Sequence, residues 1–191
     1  MRLLKIVILA LMLLAIALFG ASYQLPLQIE VEQSMVLDAK PEQVYTLLAN
    51  PTEWEQWNPV NTNTDPSMIR MYSGPMAGSG ARMQWSGDKV GTGEVVFTES
   101  VSPERLTYTQ SDKTTSEITK GSFLLEQTEG GNTKLLWQQT ATVKDEPIAR
   151  LVGAWQKYKK QEEIDKGLTG LQNIILKRAA KPTSKRRVAY R

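Results

Sequence analysis

Residues 147–178 read PIARLVGAWQKYKKQEEIDKGLTGLQNIILKR, and this stretch decides the fold. Its apolar residues recur at steps of three and four, with Gln161 filling the one gap, as they do along one face of a helix. The series is Ile148, Leu151, Trp155, Tyr158, Ile164, Leu168, Leu171 and Ile175. Such a helix would run to roughly 45 Å at 1.5 Å per residue, longer than packing in a small domain requires. The sequence therefore predicts one long C-terminal helix that lies along a larger surface.

The preceding residues predict a curved sheet as that surface. Residues 29–37 alternate between apolar and polar side chains, as in a half-buried strand. Pro41 is placed to open a short helix, and Asn58-Pro59 ends a second one. From residue 69 to 143 alternating stretches are separated by Gly-, Pro- and Asn-containing turns. The predicted order is one strand, two short helices, a run of about six strands and one long helix.

Composition narrows the chemistry. The 191 residues include no Cys and no His, which excludes disulfides, thiolate metal sites, Cys nucleophiles and every Ser-His arrangement. We therefore predict no metal site and no cofactor. An enzyme built on this chain would depend on Asp, Glu, Lys, Tyr or bound water, and no catalytic constellation is recognisable, so the composition leans against an enzyme.

The net charge of +3 is unevenly distributed. Residues 23–176 contain 14 basic and 20 acidic side chains, whereas seven basic residues lie in 177–191. The body of the protein is therefore a poor polyanion binder, and nucleic acid is not an expected partner. Residues 179–191 lack an apolar pattern and are predicted to form a disordered basic tail, which is either a second membrane contact or a solubilising end.

The N-terminus predicts a membrane segment. Residues 6–21 carry no charge, and Leu3 and Leu4 extend the apolar run to a length that spans a bilayer, about 20 residues. A signal peptide is the alternative, but its cleavage region is poor, so we favour an uncleaved anchor at 1–22 with a linker at 23–28. Arg2 and Lys5 precede the span, which places the N-terminus in the cytoplasm. The predicted location is the cytoplasmic (inner) membrane, single-pass, with a domain at 29–178 facing the periplasm or exterior.

Four short motifs make the chain similar to a known superfamily. They are residues 38–45 (DAKPEQVY), residues 54–59 (WEQWNP), the stretch 85–93 from Trp85 to Gly93, and Gly167-Leu168. Together they resemble the START-like or SRPBCC superfamily, and the branch they most resemble is the polyketide cyclase/dehydrase and lipid-transport family. The resemblance covers about residues 29–176. It implies no single reaction, because members range from lipid carriers to aromatase/cyclases and ligand sensors.

The resemblance also implies the architecture. The fold expected is α+β and of the helix-grip (Bet v 1/START-like) type, with an antiparallel sheet of about six or seven strands wrapped around the C-terminal helix. Two short helices follow the first strand, and the N-terminal transmembrane helix stands outside the domain. An apolar cavity is expected between the sheet and the C-terminal helix.

Large inward-facing side chains form the predicted ligand site. Aromatic and Met residues with a few polar tips suit a flexible apolar ligand, whereas an ordinary packed core is the alternative reading of each residue. Inward amides, such as those of Gln33, Gln110 and Gln139, need partners that a wet cavity or a ligand head group would supply. The predicted ligand-binding residues are Gln33, Met83, Trp85, Phe97, Tyr108, Trp137, Trp155, Leu168 and Leu171.

One carboxylate is a candidate acid or base. Glu99 shares the strand phase of Val95 and Phe97, so it would point inward with a raised pKa. The alternative is a strand-end carboxylate in water.

These features predict a membrane-tethered binding or carrier domain for a lipid or other small hydrophobic molecule. Two alternatives stay open at this point. One is a cyclase or dehydratase type of enzyme that uses a cavity carboxylate. The other is a structural or regulatory membrane protein whose cavity is filled by its own side chains. The oligomeric state is open as well.

Overall fold

The structure, a computed structural model, describes residues 2–113, 117–143 and 145–180. The predicted basic tail lies outside the described residues from residue 181 onward. In chain order the elements are α1 (Arg2–Ser22), β1 (Gln28–Leu37), α2 (Pro41–Ala49), α3 (Trp54–Trp57), β2 (Ile69–Ser73), β3 (Arg82–Gly87), β4 (Gly91–Val101), β5 (Arg105–Asp112), β6 (Glu117–Gln127), β7 (Thr133–Thr142) and α4 (Pro147–Ala180).

The seven strands form one antiparallel sheet with the order β1-β7-β6-β5-β4-β3-β2. Side chains alternate between the two faces, which is clearest in β7, where every second residue is buried. The buried face receives α2, α3 and the C-terminal half of α4. The α+β helix-grip architecture predicted from the sequence is thereby confirmed.

The C-terminal half of α4 is the part of the helix that the sheet grips. Its packed face consists of Ile164, Leu168, Leu171 and Ile175, all of which are buried. Gly167 and Gly170, which lie between these residues in the sequence, allow α4 to come unusually close to Trp137 and to the backbone of α3. A Cβ on Gly170 would lie 2.2 Å from the Trp57 carbonyl oxygen, so the backbone of α3 occupies the room that a side chain would need.

The N-terminal half of α4 departs from the prediction. Trp155 and Tyr158 are 62% and 66% exposed, and Ile148 and Leu151 are exposed as well. A helix turns by about 100° per residue, so the six-residue step from Tyr158 to Ile164 moves the apolar series by roughly 240°. The expected single apolar face is therefore wrong. Two stripes on opposite sides of α4 meet at Gln161, and only the second one faces the sheet.

The N-terminal helix α1 stands apart from the domain core. Residues Leu3–Ser22 have a mean hydropathy of 2.8, and all of them except Ser22 at the C-terminal end are exposed. In length and composition this helix is able to cross a membrane, and a signal sequence would meet the same criteria.

Candidate functional site

An aromatic cluster fills most of the space between sheet and helix. Neighbouring rings in it have centroids 4.9 to 6.3 Å apart, the spacing of packed aromatic pairs. Two of its members are pinned by hydrogen bonds, because Trp54 and Trp57 donate their Nε1–H groups to the carbonyls of Leu48 and Leu47. The cluster consists of Trp54, Trp57, Phe97, Tyr108, Phe123 and Trp137.

What remains is a small pocket at one end of this cluster. Its free volume is about 20 Å³, room for roughly one water molecule. The sequence predicted an open cavity, and the structure reduces it to this remnant because α3 inserts two tryptophans beneath α4. Strands β3, β5 and β7, the α3–β2 loop and α4 all contribute. The lining residues are Trp54, Asn58, Pro59, Val60, Met83, Trp85, Gln110, Trp137, Gln139 and Glu163.

Glu163 is the only ionisable side chain that lines this pocket among the described residues. It lies on α4 one turn before Gly167, which packs against the Trp137 ring. Burial raises the pKa of its carboxyl, while nearby Lys160 acts in the opposite direction. Lys160 is itself engaged by Glu117, with a separation of 2.7 Å between its Nζ and a carboxylate oxygen. Glu163 therefore holds a proton more readily than a carboxyl in water does.

Tyr108 organises the polar floor beneath the pocket. Its hydroxyl accepts hydrogen bonds from Trp137 Nε1 at 2.8 Å and from Gln139 Nε2 at 2.9 Å. Burial raises the pKa of Tyr108, so the phenol stays neutral. A Cβ on Gly121 would lie 2.0 Å from the Tyr108 ring, so the missing side chain on β6 makes room for it. These contacts fix the orientation of two pocket-lining side chains, Trp137 and Gln139.

The α3–β2 loop forms the outer wall of the pocket and is fastened at two points. Arg70 on β2 pairs with Glu55 on α3 and donates to the carbonyl of Val60. Asp65 accepts hydrogen bonds from Ser67 and from the backbone N–H groups of Lys89 and Val90 in the β3–β4 turn. These hydrogen bonds, led by the Ser67 hydroxyl, lower the pKa of Asp65 to about 2.

Only some of the predicted ligand-binding residues reach this pocket. Met83, Trp85 and Trp137 line it. Of the other six, Phe97, Tyr108, Leu168 and Leu171 are buried outside the lining, Gln33 on β1 is half-buried, and Trp155 is exposed. Gln110 and Gln139, whose inward phase the alternation predicted, do line the pocket.

Two predicted placements are wrong. Trp155 lies on the outer side of α4 because the apolar series changes side at Gln161, and it is 62% exposed. Glu99 does not point inward, because the β4 register shifts between Phe97 and Glu99 and reverses the alternation there. Its side chain is half exposed and pairs with Arg105, whose Nη2 lies 2.7 Å from a carboxylate oxygen.

Glu163 is the site residue that the pattern missed. The apolar series begins with Ile148, Leu151 and Trp155, which are exposed, so it does not mark the side of α4 on which Glu163 lies. The signal lay in the glycines. Gly167 follows Glu163 by four residues, so the two share a helix face. A glycine in mid-helix costs about 1 kcal/mol relative to Ala and usually has a packing or functional reason.

The sheet, the gripped helix and the pocket between them define a helix-grip domain of the START-like or SRPBCC superfamily. The family described as Activator of Hsp90 ATPase homolog 1-like protein has a model that matches residues 38–162. The chain belongs to this family.

Several solved structures have the same fold, and this chain matches the three described below over nearly their whole length. The protein of unknown function SA2116 from Staphylococcus aureus is 14% identical, with a TM-score of 0.63 over 81% of this chain and 97% of that one. Protein MLL2253 from Mesorhizobium loti is 18% identical, with a TM-score of 0.56 over 80% and 99%. Ara h 8.0201 is 14% identical, with a TM-score of 0.55 over 78% and 99%. No curated protein matches the chain. Identities this low establish the fold alone.

Proposed function

We propose that this protein is a membrane-tethered domain that binds a small hydrophobic molecule carrying one polar or cationic group. The observation that supports this most is the pocket lining, in which the half-buried carboxyl of Glu163 and three side-chain amides, those of Asn58, Gln110 and Gln139, lie among aromatic and Met side chains. Apolar walls with a few convergent polar groups are the usual composition of a small-molecule site. The superfamily, whose members include ligand-binding and cyclase domains, adds support.

The lining indicates which ligand chemistry fits. Trp85, Trp137 and Met83 offer flat and adaptable apolar contacts, which suit a planar or flexible hydrocarbon body. Glu163 and the amides of Gln110 and Gln139 would engage the polar end. A cationic group there would favour the ionised form of Glu163, whose pKa burial raises despite the nearby Lys160.

Binding requires the pocket to enlarge, because about 20 Å³ holds no more than roughly one water molecule. The sheet and α4 are held by the packed aromatic cluster, whereas the α3–β2 loop has few apolar anchors. We infer that this loop moves outward when ligand enters, about the points where Arg70 and Asp65 fasten it.

The tether is the second part of the proposal. Helix α1 would remain as an anchor at residues 1–22, with the linker at 23–28 and the domain at 29–178. The basic residues before the span and the acidic residues after it favour a domain on the outer side of the cytoplasmic membrane. A tethered site meets membrane-derived ligands at high effective concentration, so modest affinity suffices.

The test compares the full chain with a blocked pocket. Val60→Trp would fill the pocket from the α3–β2 loop, and Ile69→Trp places the same side chain at a position that is 69% exposed. Each protein is purified in the same detergent, checked by near-UV circular dichroism and extracted with organic solvent for mass spectrometry. We expect a hydrophobic compound in wild type and Ile69→Trp that falls at least about tenfold in Val60→Trp, a loss of about 1.4 kcal/mol in binding. Equal recovery from all three proteins, or no compound in any, would refute the proposal.

A cyclase or dehydratase type of reaction is the second candidate, and Glu163 favours it. A carboxyl whose pKa is raised by burial holds a proton more readily than one in water, as a general acid requires. Glu163→Gln separates the two functions, because an amide preserves the size and hydrogen-bonding capacity of a neutral carboxyl but transfers no proton. Ligand recovered unchanged in amount from Glu163→Gln, but chemically different from that in wild type, would support the enzyme. Identical compounds in both proteins would exclude it.

A further inference from the structure

The first three turns of α4 carry an apolar stripe on the side that faces away from the sheet. We call this the α4 stripe, and it consists of Ile148, Leu151, Val152, Trp155 and Tyr158, each of them 40% exposed or more. At about 100° per residue the five side chains fall within an arc of roughly 120°, opposite Gly153. Gly153 marks the packed side, since its missing Cβ would lie 2.8 Å from a Val143 methyl group. Among the described residues, none of the α4 stripe belongs to the buried core or packs against it.

The first turn of α4, where the stripe begins, lies beside the residues that follow α1. Arg150 donates through Nη1 to the Tyr23 carbonyl at 2.8 Å and to the Leu25 carbonyl at 3.2 Å. Its guanidinium also lies 5.2 Å from the centroid of the Tyr23 ring. The first turn of α4 is therefore fastened to the residues that directly follow the candidate membrane span. If α1 crosses a bilayer, this part of α4 lies at the level of the head groups.

Basic side chains lie beside the stripe, and three of them also form ion pairs: Arg150 with Asp145, Lys160 with Glu117, and Lys159 with Glu162. Residues 147–160 contain Arg150, Lys157, Lys159 and Lys160 but no acidic residue, whereas Glu162, Glu163 and Asp165 follow as soon as the stripe ends. Lys159 Nζ lies 5.4 Å from the Trp155 ring centroid. Exposed Trp and Tyr flanked by basic side chains are typical of helices that lie in the membrane interface.

From this continuity and charge we propose that the α4 stripe lies on the surface of the bilayer that α1 crosses, with Trp155 among the lipid head groups and a preference for anionic lipid. The inference rests on the tether in the proposed function and adds a second point of membrane contact. The domain would then be held at the membrane at two points, with its orientation set by both.

Trp155 supplies a selective probe. The other four tryptophans are 2% to 7% exposed within the domain, so Trp155 is the one that lipid can reach. The full chain is reconstituted in phosphatidylcholine vesicles with or without phosphatidylglycerol, with bromine on the acyl chains near the head groups. Flotation with the vesicles tests the tether, and loss of Trp emission tests the stripe. We expect brominated lipid to remove roughly one fifth of the emission, the share of one tryptophan in five. The loss should be smaller without anionic lipid and absent in Trp155→Phe.

A matched control keeps the result specific. Met71 on β2, at the far edge of the sheet, has the same 62% exposure as Trp155, so Trp155→Phe combined with Met71→Trp moves the probe away from the stripe. Emission from this variant should be unaffected by bromine. Flotation without Trp155 quenching would overturn the stripe and leave the tether standing, and failure to float would overturn both. Equal quenching of the Met71→Trp variant would overturn the proposal that the stripe contacts lipid. A blue shift of Trp155 emission that depends on protein density and not on bromine would also overturn it, because that result indicates contact with a second copy of the chain.

Discussion

Replacing Gly170 by Ala tests the idea that α4 is locked against α3. A Cβ at this position would lie 2.2 Å from the carbonyl oxygen of Trp57 and 3.0 Å from its carbonyl carbon. Both atoms belong to the backbone, so no rotamer change relieves the contact. Trp57 itself is held by its Nε1–H bond to the Leu47 carbonyl. Helix α3 or α4 would have to move by about 1 Å, which disturbs an interior packed at crystal-like density.

The expected magnitude follows from two opposing effects. Ala is favoured over Gly in a helix interior by about 1 kcal/mol. Overpacking of a filled core costs about 1–3 kcal/mol and sometimes more, and the obstacle here is backbone, so the upper part of that range applies. We expect a net loss of about 1–2 kcal/mol in the free energy of unfolding, or a melting temperature lower by about 2–8 °C for a domain of this size.

Thermal unfolding of the full chain in one detergent, followed by near-UV circular dichroism, measures this. Two controls distinguish the effect of the contact with the Trp57 backbone from the effect of Ala on helix propensity and from the effect of replacing a glycine in a loop. Thr169→Ala changes the neighbouring exposed position of α4, and Gly130→Ala changes a loop glycine with nothing within 4 Å of a new Cβ. Both controls should melt at or above the wild-type temperature. A Gly170→Ala protein as stable as Thr169→Ala would refute the close packing of α4 on α3.

Three further perturbations test the pocket and its wall. Burial raises the pKa of Glu163, so Glu163→Gln should raise the unfolding midpoint at pH 7, and the gain should vanish below the unfolded-state pKa of about 4.3, where both side chains are neutral. Hydrogen bonds lower the pKa of Asp65 to about 2, so Asp65→Asn should lower the midpoint at neutral pH, with a difference that shrinks as the pH falls from about 4 towards 2. Tyr108→Phe should cost about 1–3 kcal/mol, because Trp137 and Gln139 lose their shared acceptor.

Each of these predictions has an opposing result. A Glu163→Gln protein that is less stable than wild type at pH 7 would mean that the carboxylate is stabilised by a charge partner. A stability difference for Asp65→Asn that does not change between pH 4 and pH 2 would remove Asp65 as the anchor of the α3–β2 loop. Unchanged unfolding of Tyr108→Phe, with an unchanged near-UV spectrum, would mean that the polar floor is not organised by the phenol.

The order of elements could be predicted because each one carries a local signal. Alternation marks the strands, Pro41 lies at the first position of α2, and Asn58-Pro59 ends α3. The helix-grip arrangement then followed from the resemblance of short motifs. One of these motifs has a direct physical reason, because Gly93 leaves room for the Trp85 ring, which would lie 2.3 Å from a Cβ at that position.

The site was harder to predict because it depends on which side of a helix or strand faces inward and on how much of the interior volume the side chains fill. The periodicity of α4 does not tell which of two apolar stripes packs inward, so Trp155 was predicted on the wrong side and Glu163 was not predicted at all. The bulge after Phe97 leaves no mark in the sequence, yet it turns Glu99 outward. How far Trp54 and Trp57 fill the interior depends on where α3 sits, which is a tertiary property that no alternation pattern contains.

The few residues between α1 and β1 limit how far the domain can move from α1. Five residues, 23–27, extend to at most about 18 Å, and backbone hydrogen bonds from Gln24 and Leu25 back to Ala21 and Ser22 shorten that reach. If α1 spans a bilayer, this short linker holds the domain close to the membrane surface. A domain anchored in this way would exchange ligand only with that bilayer or with molecules that diffuse to it.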